Sequence, residues 1–384
     1  DLIAVSGGYI QADSGAYQHF LYRNDGDRFV AEALPLPPFP ASVVKMGDMD
    51  QDGDMDLFVG ARVRRDEFPY APASYVLKNE GGTFSAQAFQ LGMVTDAAWS
   101  DVDGDGFQDL LVTREWNHLA WLKNDQGKQF SLEERTDVQG HQGLWASIIA
   151  WDLDGDGDDD YLLGNLGENH RFQVSEAHPM RLYAVDVDQN GTIDPITTSY
   201  WEDDLGELQE FPVNYMDELA AQSPYFRKVF NNYTDFSQAP IDRIITPEME
   251  AAGAVFMVNT SSHYLLRNNG GQLIWERLPT EAQVAPLREM LVVDVNGDQL
   301  PDVVLGGNDH AHDVSTGYYE ANKGQVLLNE GEGAYRMLLP AQSGLLLSGQ
   351  VQTLLYFPGD TALLVAGINR QPLAVYQINL PPVQ

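Results

Sequence analysis

The sequence predicts an all-β fold assembled from a repeated unit of roughly fifty residues that carries four short strands. Two repeats and the composition support that prediction. An Asp-rich loop running into an apolar stretch recurs five times, and an Asn–Gly hairpin signal recurs between those loops. Glycine (35), proline (20) and 10% aromatic residues suit short strands and turns better than long helices.

Composition also sets exclusions. With 384 residues and 43% apolar content, the chain can bury a sizeable core. A formal charge of −35 argues against nucleic acid or an anionic membrane as partner by general attraction. No stretch is apolar for long enough to span a bilayer as a helix, so direct membrane insertion is not expected. Cysteine is absent, which removes disulfides, thiolate metal sites and cysteine nucleophiles together. The opening residues, DLIAVSGGYI, lack the basic start and apolar centre of a signal peptide.

DMDQDGDMDLFVG starts at 48, DVDGDGFQDLLVT at 101, DLDGDGDDDYLLG at 152, DVDQNGTIDPITT at 186 and DVNGDQLPDVVLG at 294, separations of 53, 51, 34 and 108 residues. Each has Asp or Asn at positions 1, 3 and 5, a turn-former near position 6 and Asp at position 9. Carboxylates this close repel one another, unless a hard cation that takes about six to eight oxygens sits between them. By analogy with the helical calcium loop, positions 1, 3 and 5 give side-chain oxygens, position 7 gives a backbone carbonyl, and position 9 closes the shell. The candidate ligands are Asp48, Asp50, Asp52, Asp54 and Asp56 in the first loop, and Asp101, Asp103, Asp105, Phe107 and Asp109 in the second. The third offers Asp152, Asp154, Asp156, Asp158 and Asp160, the fourth Asp186, Asp188, Asn190, Thr192 and Asp194. The fifth offers Asp294, Asn296, Asp298, Leu300 and Asp302. An all-oxygen shell favours calcium over magnesium, and loops without His or Cys disfavour zinc.

The second repeat reads LYRNDGDRF (21–29), LKNEGGTF (77–84), LKNDQGKQF (122–130), LRNNGGQL (266–273) and LNEGEGAY (328–335). Asn with a nearby glycine, flanked by alternating apolar residues, signals a tight hairpin.

Loop and hairpin together resemble the FG-GAP or VCBS repeat of α-integrin-type β-propellers, whose DxDxDGxxD loops bind calcium. The resemblance covers nearly the whole chain outside residues 200–255. GNLGENHRF, RLYAVDVDQNGTIDPI and PTEAQVAPLREMLVVDVNGD are further similar to the C-terminal propeller of long secreted bacterial VCBS-repeat proteins. The resemblance implies about five Ca2+ sites. Two loops depart from the pattern: Asn190 replaces an acid at position 5, while Asn296 and Gln299 stand at positions 3 and 6 of the last loop. Those two sites are expected to bind more weakly.

Asp1 aligns with position 9 of such a loop, so the sequence reads as a fragment of a longer polypeptide, with a secretion signal upstream of residue 1. Residues 351–378 read as three strands whose loop is reduced to FPGD. One upstream segment would complete the first and last blades and hide their open edges. The count gives a single seven-bladed β-propeller over 1–384, with six or eight blades as alternatives. Residues 200–255 break the repeat. Ser223-Pro224 and Thr246-Pro247 look like helix starts and Gly253 like a helix end, marking a helical insertion in the fifth blade. Asn-x-Ser/Thr patterns occur at Asn232 and Asn259.

In the resembling folds, loops after the second strand of each blade lie on the face opposite the calcium. Here these are 61–72, 114–120, 165–172 and 307–319, which gather Arg62, Arg64, Arg65, Arg114 and Arg171 with Tyr70, Trp116, His118, His170, His310 and Tyr318. They form a candidate face for an anionic or sugar-bearing ligand, although Asp66, Glu67, Glu115 and Glu168 beside them offer the arginines internal partners. The reading is a calcium-stabilised extracellular binding or structural module at the cell surface, an adhesion element for protein or glycan. Some propellers of this resemblance are polysaccharide lyases, so a carbohydrate-active enzyme is the alternative, with His170 or Tyr318 as its base; a lectin lies between. His310-x-His312-Asp313 could hold a metal, although its spacing is not diagnostic. No nucleophile elbow, phosphate loop or dinucleotide fingerprint occurs.

Overall fold

The computed structural model describes residues 1–8, 14–311, 316–359 and 361–378. His312, Asp313 and the Asp360 of FPGD lie outside them. Among the described residues, 27 strands form seven antiparallel sheets, with five short α-helices between them.

Six sheets follow one another in space. Sheet 1 contains Leu2–Ala4, Phe20–Asn24 and Phe29–Ala33; sheet 2 contains Ala41–Gly47, Asp56–Ala61, Ser74–Glu80 and Thr83–Phe89. Sheet 3 contains Val94–Ser100, Asp109–Asn117, Ala120–Asn124 and Phe130–Glu133, with Gly143–Leu144 added beside the second strand. Sheet 4 pairs Ser147–Trp151 and Asp160–Gly164 with Tyr264–Asn269 and Gln272–Arg277. Sheet 5 contains Leu287–Val293, Asp302–Gly307, Gln325–Gly331 and Ala334–Leu338; sheet 6 contains Val351–Phe357, Ala362–Ile368 and Ala374–Ile378.

The apolar run after each Asp loop now has a reason. It is the second strand of its sheet, and in sheets 2 to 5 both faces of that strand are covered. Leu57 and Val59 pack toward sheet 1, while Phe58 packs toward sheet 3. Leu110 and Val112 face sheet 2, and Leu111 faces sheet 4. Tyr161 and Leu163 face sheet 3, and Leu162 faces sheet 5. Val303 and Leu305 face sheet 4, and Val304 faces sheet 6. A strand buried on both faces needs no polar alternation. The end sheets differ. The second strand of sheet 6 alternates between buried and half-buried, and Leu355, Phe357 and Val375 are exposed on it or its neighbours. In sheet 1, Leu2 and Val30 are exposed as well.

The seventh sheet is not in this series. Met180–Val185, Asp194–Glu202, Leu208–Pro212 and Ala254–Val258 form a sheet inserted between the second and third strands of sheet 4. Helices α1 (Met216–Gln222), α2 (Tyr225–Val229), α3 (Tyr233–Ser237) and α4 (Pro247–Ala252) pack on it through Leu219, Phe226, Phe230, Ile241 and Ile244. Thr246 caps α4 with Pro247 in its first turn and Gly253 at its end. The sequence placed a helical insertion at 200–255 within a fifth blade; here the insertion includes the whole Asp186 unit. Thirty-four residues separate the Asp152 and Asp186 loops, too few for the two further strands that sheet 4 recovers only at Tyr264. Met180, Leu182 and Val258 rest on Met93 and Trp116 of sheet 3. Asn232 caps α3, and Asn259 accepts the Gln142 amide at 2.9 Å, so both glycosylation patterns have structural uses.

The first strands of sheets 2, 3 and 5 bring charge together. Lys45 of sheet 2 lies 2.8 Å from Asp96 of sheet 3. Glu289 of sheet 5 is raised from 4.5 to about 7 by burial first and the Asp96 charge second, with Lys45 acting the other way. A carboxyl raised in this way binds its proton more tightly in the folded state. Its stabilising contribution is present below about pH 4.5 and is lost as pH rises through about 7. Glu289→Gln should therefore gain in melting temperature over the wild type by a few degrees between about pH 5 and pH 8. Parallel pH profiles for the two proteins would contradict this placement.

Candidate metal centres and the surfaces around them

Every Asp loop connects the first and second strands of its sheet, and its geometry repeats. The position-1 carboxylate accepts backbone amides from across the turn: Asp48 from Asp52 and Gly53 at 3.2 and 3.1 Å, Asp101 from Asp105 and Gly106 at 3.0 and 2.7 Å. Asp152, Asp186 and Asp294 do the same. Position 5 accepts the position-7 amide, as Asp105 does from Phe107 at 3.0 Å. The turn needs left-handed backbone at position 6, where four loops have glycine and the last has Gln299 at φ 71°.

These hydrogen bonds draw oxygens together. In four loops one oxygen from each of three acids lies within 4.8 Å of the others: Asp48, Asp50 and Asp56; Asp101, Asp103 and Asp109; Asp152, Asp154 and Asp156; Asp186, Asp188 and Asp194. The fifth loop forms no such group of acids among the described residues; its position 3 is Asn296, whose amide donates to Asp298 at 2.8 Å. Asp50 Oδ1, Asp103 Oδ1 and Asp188 Oδ1 are buried with no hydrogen-bond partner, a costly state for a carboxylate oxygen in the absence of a cation. Three converging acids with a spare buried oxygen fit a hard, oxygen-seeking divalent ion. The position-7 residues, expected to contribute a backbone carbonyl, use their side chains elsewhere: the Asp54 and Asp158 carboxylates accept the hairpin amides of Gly81 and Gly270 at 2.7 and 2.9 Å.

Position 9 has a second task that the sequence reading missed. Asp56 accepts the amides of Met49 and Asn79, each at 2.7 Å; Asp302 accepts Val295 and Asn329 at 2.9 and 2.8 Å. Asp109 binds the Asn124 amide at 2.7 Å and Trp121 Nε1 at 3.0 Å. Burial, ahead of neighbouring acids, raises Asp109 to about 7 and Asp160 to about 6. An adjacent cation would oppose that rise. The asparagine partners are those of the hairpin repeat, and their side chains cross between sheets. Asn124 Nδ2 donates to Met49 O of sheet 2 at 2.8 Å, Asn268 to Val102 O of sheet 3 at 3.2 Å, and Asn329 to Leu153 O of sheet 4 at 2.9 Å. The acceptor is always position 2 of the preceding metal loop. The signal was present in the sequence as an invariant Asn in five hairpins, but it read as turn chemistry alone. Gly127 completes the fit, since a Cβ there would stand 2.5 Å from Asp50 Cβ.

Most of the proposed ligand face is committed to the fold. Arg62 pairs with Glu115, Arg64 with Glu67 at 3.2 Å and Arg65 with Asp66 at 3.1 Å. The Arg114 guanidinium donates to the carbonyls of His118, Leu91 and Leu119, and burial lowers it to about 10. Trp116 is buried against the inserted sheet rather than offering an exposed ring, and Arg114 is half-buried. His118 and His170 are half-buried, and His170 Nε2 is shut away from solvent. Tyr70 lies edge-on to Phe256, and His310 stacks on Tyr318 at 4.5 Å. Arg171 stays exposed, over the Phe172 ring.

Arg171 borders a cleft that no contiguous motif announces. It has a volume of about 640 Å³ and is walled by Trp201, Phe211, Tyr215, Tyr233 and Phe236 of the inserted sheet and helices. Glu202, Asp203, Asp204, Asn214 and Gln238 supply polar groups between the rings. Tyr215 and Tyr233 are 52% and 63% exposed, which leaves their faces open to a ligand.

Residues 101–163 match the FG-GAP-like repeat family, a stretch that contains two of the Asp loops and the strands after them. No curated protein matches the chain. Among solved structures, the V. cholerae biofilm matrix protein Bap1 aligns with 93% of this chain and 79% of its own at 8% identity and a TM-score of 0.29.

The Asn bonds between sheets generate a stability test. Asn124→Ala and Asn268→Ala each strand a buried carbonyl and uncap a turn, and should cost about 2–4 kcal/mol in urea unfolding. Asn79 Nδ2 bonds within its own sheet, to Met55 O at 3.1 Å, so Asn79→Ala should cost about half as much. Equal losses at the three positions would remove the bonds between sheets from the account.

Proposed function

We propose that this chain is a calcium-stabilised β-propeller module that works outside the cell by binding a glycan or protein. The repetition of one carboxylate cluster at the same strand junction in sheets 2, 3 and 4 and in the inserted sheet supports this reading most strongly. The six serial sheets are its blades. The open apolar faces of sheets 1 and 6 favour one more blade between them, contributed by an upstream part of the same polypeptide. Asp48, Asp50, Asp101, Asp103, Asp152, Asp154, Asp186 and Asp188 would hold the ions, which tie each first hairpin together and offset its charge. Calcium-rich extracellular fluid suits such sites, because extracellular calcium modules can function with weak affinity.

Recognition falls to the cleft of the inserted sheet. Aromatic faces alternating with carboxylates and amides suit a saccharide, whose C–H faces stack on rings while its hydroxyls reach the polar groups. Arg62, Arg64 and Arg65 form a rim of ion pairs that adds little affinity. The enzyme reading has one observation in its favour, since His170 and Tyr318 line a common cavity of about 600 Å³. His170 Nε2, however, is closed off from that cavity as a base.

Two measurements test the proposal. Excess chelator should lower the melting temperature by roughly 5–10 °C, since a bound ion stabilises only the folded state; an unchanged melt ends the calcium reading. In affinity electrophoresis through a panel of extracellular polysaccharides, at least one polymer should retard the chain. Tyr215→Ala and Tyr233→Ala should weaken that retardation roughly tenfold with little change in melting temperature. Retardation that is indifferent to both tyrosines would remove the cleft, and shortening of the polymer would favour the enzyme.

A further inference from the structure

Resting on the calcium reading above, we infer that Lys78, Lys123 and Arg267 are built-in counter-cations of the metal loops. Each holds the position-3 carboxylate by one oxygen, substitutes for the ion when calcium is scarce, and lowers calcium affinity when it is bound.

The three residues occupy one structural position, immediately before the asparagine of the hairpin repeat. Because that asparagine binds the position-9 aspartate through its backbone, the register of the third strand is fixed over the loop. The preceding side chain then meets position 3. Lys78 Nζ is 2.9 Å from Asp50 Oδ2, Lys123 Nζ contacts Asp103 Oδ2 and stands 3.6 Å from Asp105 Oδ2, and Arg267 is 3.3 Å from Asp154 Oδ2. In Asp50 and Asp103 the base takes Oδ2, and Oδ1 is the buried oxygen with no partner. One carboxylate therefore offers one oxygen to the base and keeps the other for an ion.

The chain contains its own controls. In sheet 5 the position-3 residue is the neutral Asn296, and the residue before the hairpin asparagine is Leu328. In the inserted sheet no hairpin strand covers the loop, and Asp188 Oδ2 is met by the Ser223 hydroxyl at 2.7 Å. Among sheets 2 to 5, the base is thus present where the loop has an acid at position 3 and absent where that acid is missing; in sheet 1, whose first strand begins at Leu2, Arg23 occupies the same place and pairs with Glu32 and Asp1 instead. The arrangement has two consequences. Without metal, the ammonium relieves the repulsion among position 1, 3 and 5 carboxylates. With metal, a positive charge a few ångströms from a divalent ion weakens binding on the order of tenfold, even under water-like screening.

Isothermal titration of the metal-free 384-residue chain with calcium chloride, paired with melts in chelator and in excess calcium, tests this. Lys78→Met/Lys123→Met keeps the apolar stems but removes both charges. The variant should bind calcium at two sites on the order of tenfold more tightly. It should also melt lower than wild type in chelator and recover most of that loss in calcium. Lys123→Arg, which keeps the charge, and Leu328→Met, which has none to lose, should match wild type. If the double variant is too unstable to prepare without metal, Lys123→Gln alone should give the same shift at one site. Wild-type binding with unchanged affinity in the lysine variants overturns this inference alone. Absence of any calcium heat from the wild type overturns the calcium reading and this inference with it.

Discussion

The hairpin asparagine is the constraint on which the rest of the structure depends. Asn124, Asn268 and Asn329 each cap their own turn through Oδ1, bind the position-9 aspartate of their own sheet through the backbone, and donate from Nδ2 into the preceding sheet's loop. Turn, loop and neighbouring sheet are therefore positioned by one side chain. The bonds to the aspartates and to the preceding loops are buried, so a partial arrangement would leave polar groups without water or partner. This explains why the repeat tolerates wide variation in its outer strands yet keeps Asn in five hairpins.

The same economy governs the acids. A cluster of carboxylates is unfavourable in isolation, and the structure answers it in three ways. Backbone amides of the turn converge on position 1, a basic side chain reaches position 3, and the spare oxygens point to one place that suits a cation. The amide contribution is fixed by loop shape and is present in all five loops. The basic contribution is present only where sequence supplies Lys or Arg before the asparagine. The two differ in consequence, because an amide is a partial charge that a metal ion can share, whereas an ammonium competes with it. A loop can thus vary its dependence on metal without changing its backbone.

Local features were legible in the sequence and non-local ones were not. The loops, the hairpins, the doubly buried strands and the final three strands at 351–378 follow from short-range pattern. The cap at Thr246 is equally local, whereas Asn232, which caps α3, stood out in the sequence only as an Asn-x-Ser/Thr pattern. The split of sheet 4 is not local, since Tyr161 pairs with Leu266 across an inserted sheet of its own. Only the 34-residue spacing between two loops hinted at it. The arginines follow the internal pairing that their acidic neighbours suggested, with Arg62 meeting Glu115 and Arg64 meeting Glu67. Arg114 instead turns to the carbonyls of His118 and Leu91, which spacing does not show. The aromatic cleft draws on strands, a turn and two helices, so no contiguous motif announced it.

The position of the insertion also bears on the division of labour within the molecule. It leaves sheet 4 after Gly164 and returns before Tyr264, at the end of the strands opposite the Asp loops. Its core is its own: Leu219, Phe226, Phe230 and Ile244 pack among themselves and against Tyr183, Val185 and Ile196, while contact with sheet 3 runs through Met93 and Trp116. A unit joined in this way can change its loops and helices without disturbing the asparagine bonds that order sheets 2 to 5. The serial sheets are the opposite case. Each of sheets 2 to 5 shares its apolar faces with both neighbours, so a substitution in one is felt in the next. The exposed tyrosines and carboxylates of the cleft gather on the insertion, the unit whose side chains are least coupled to the serial core.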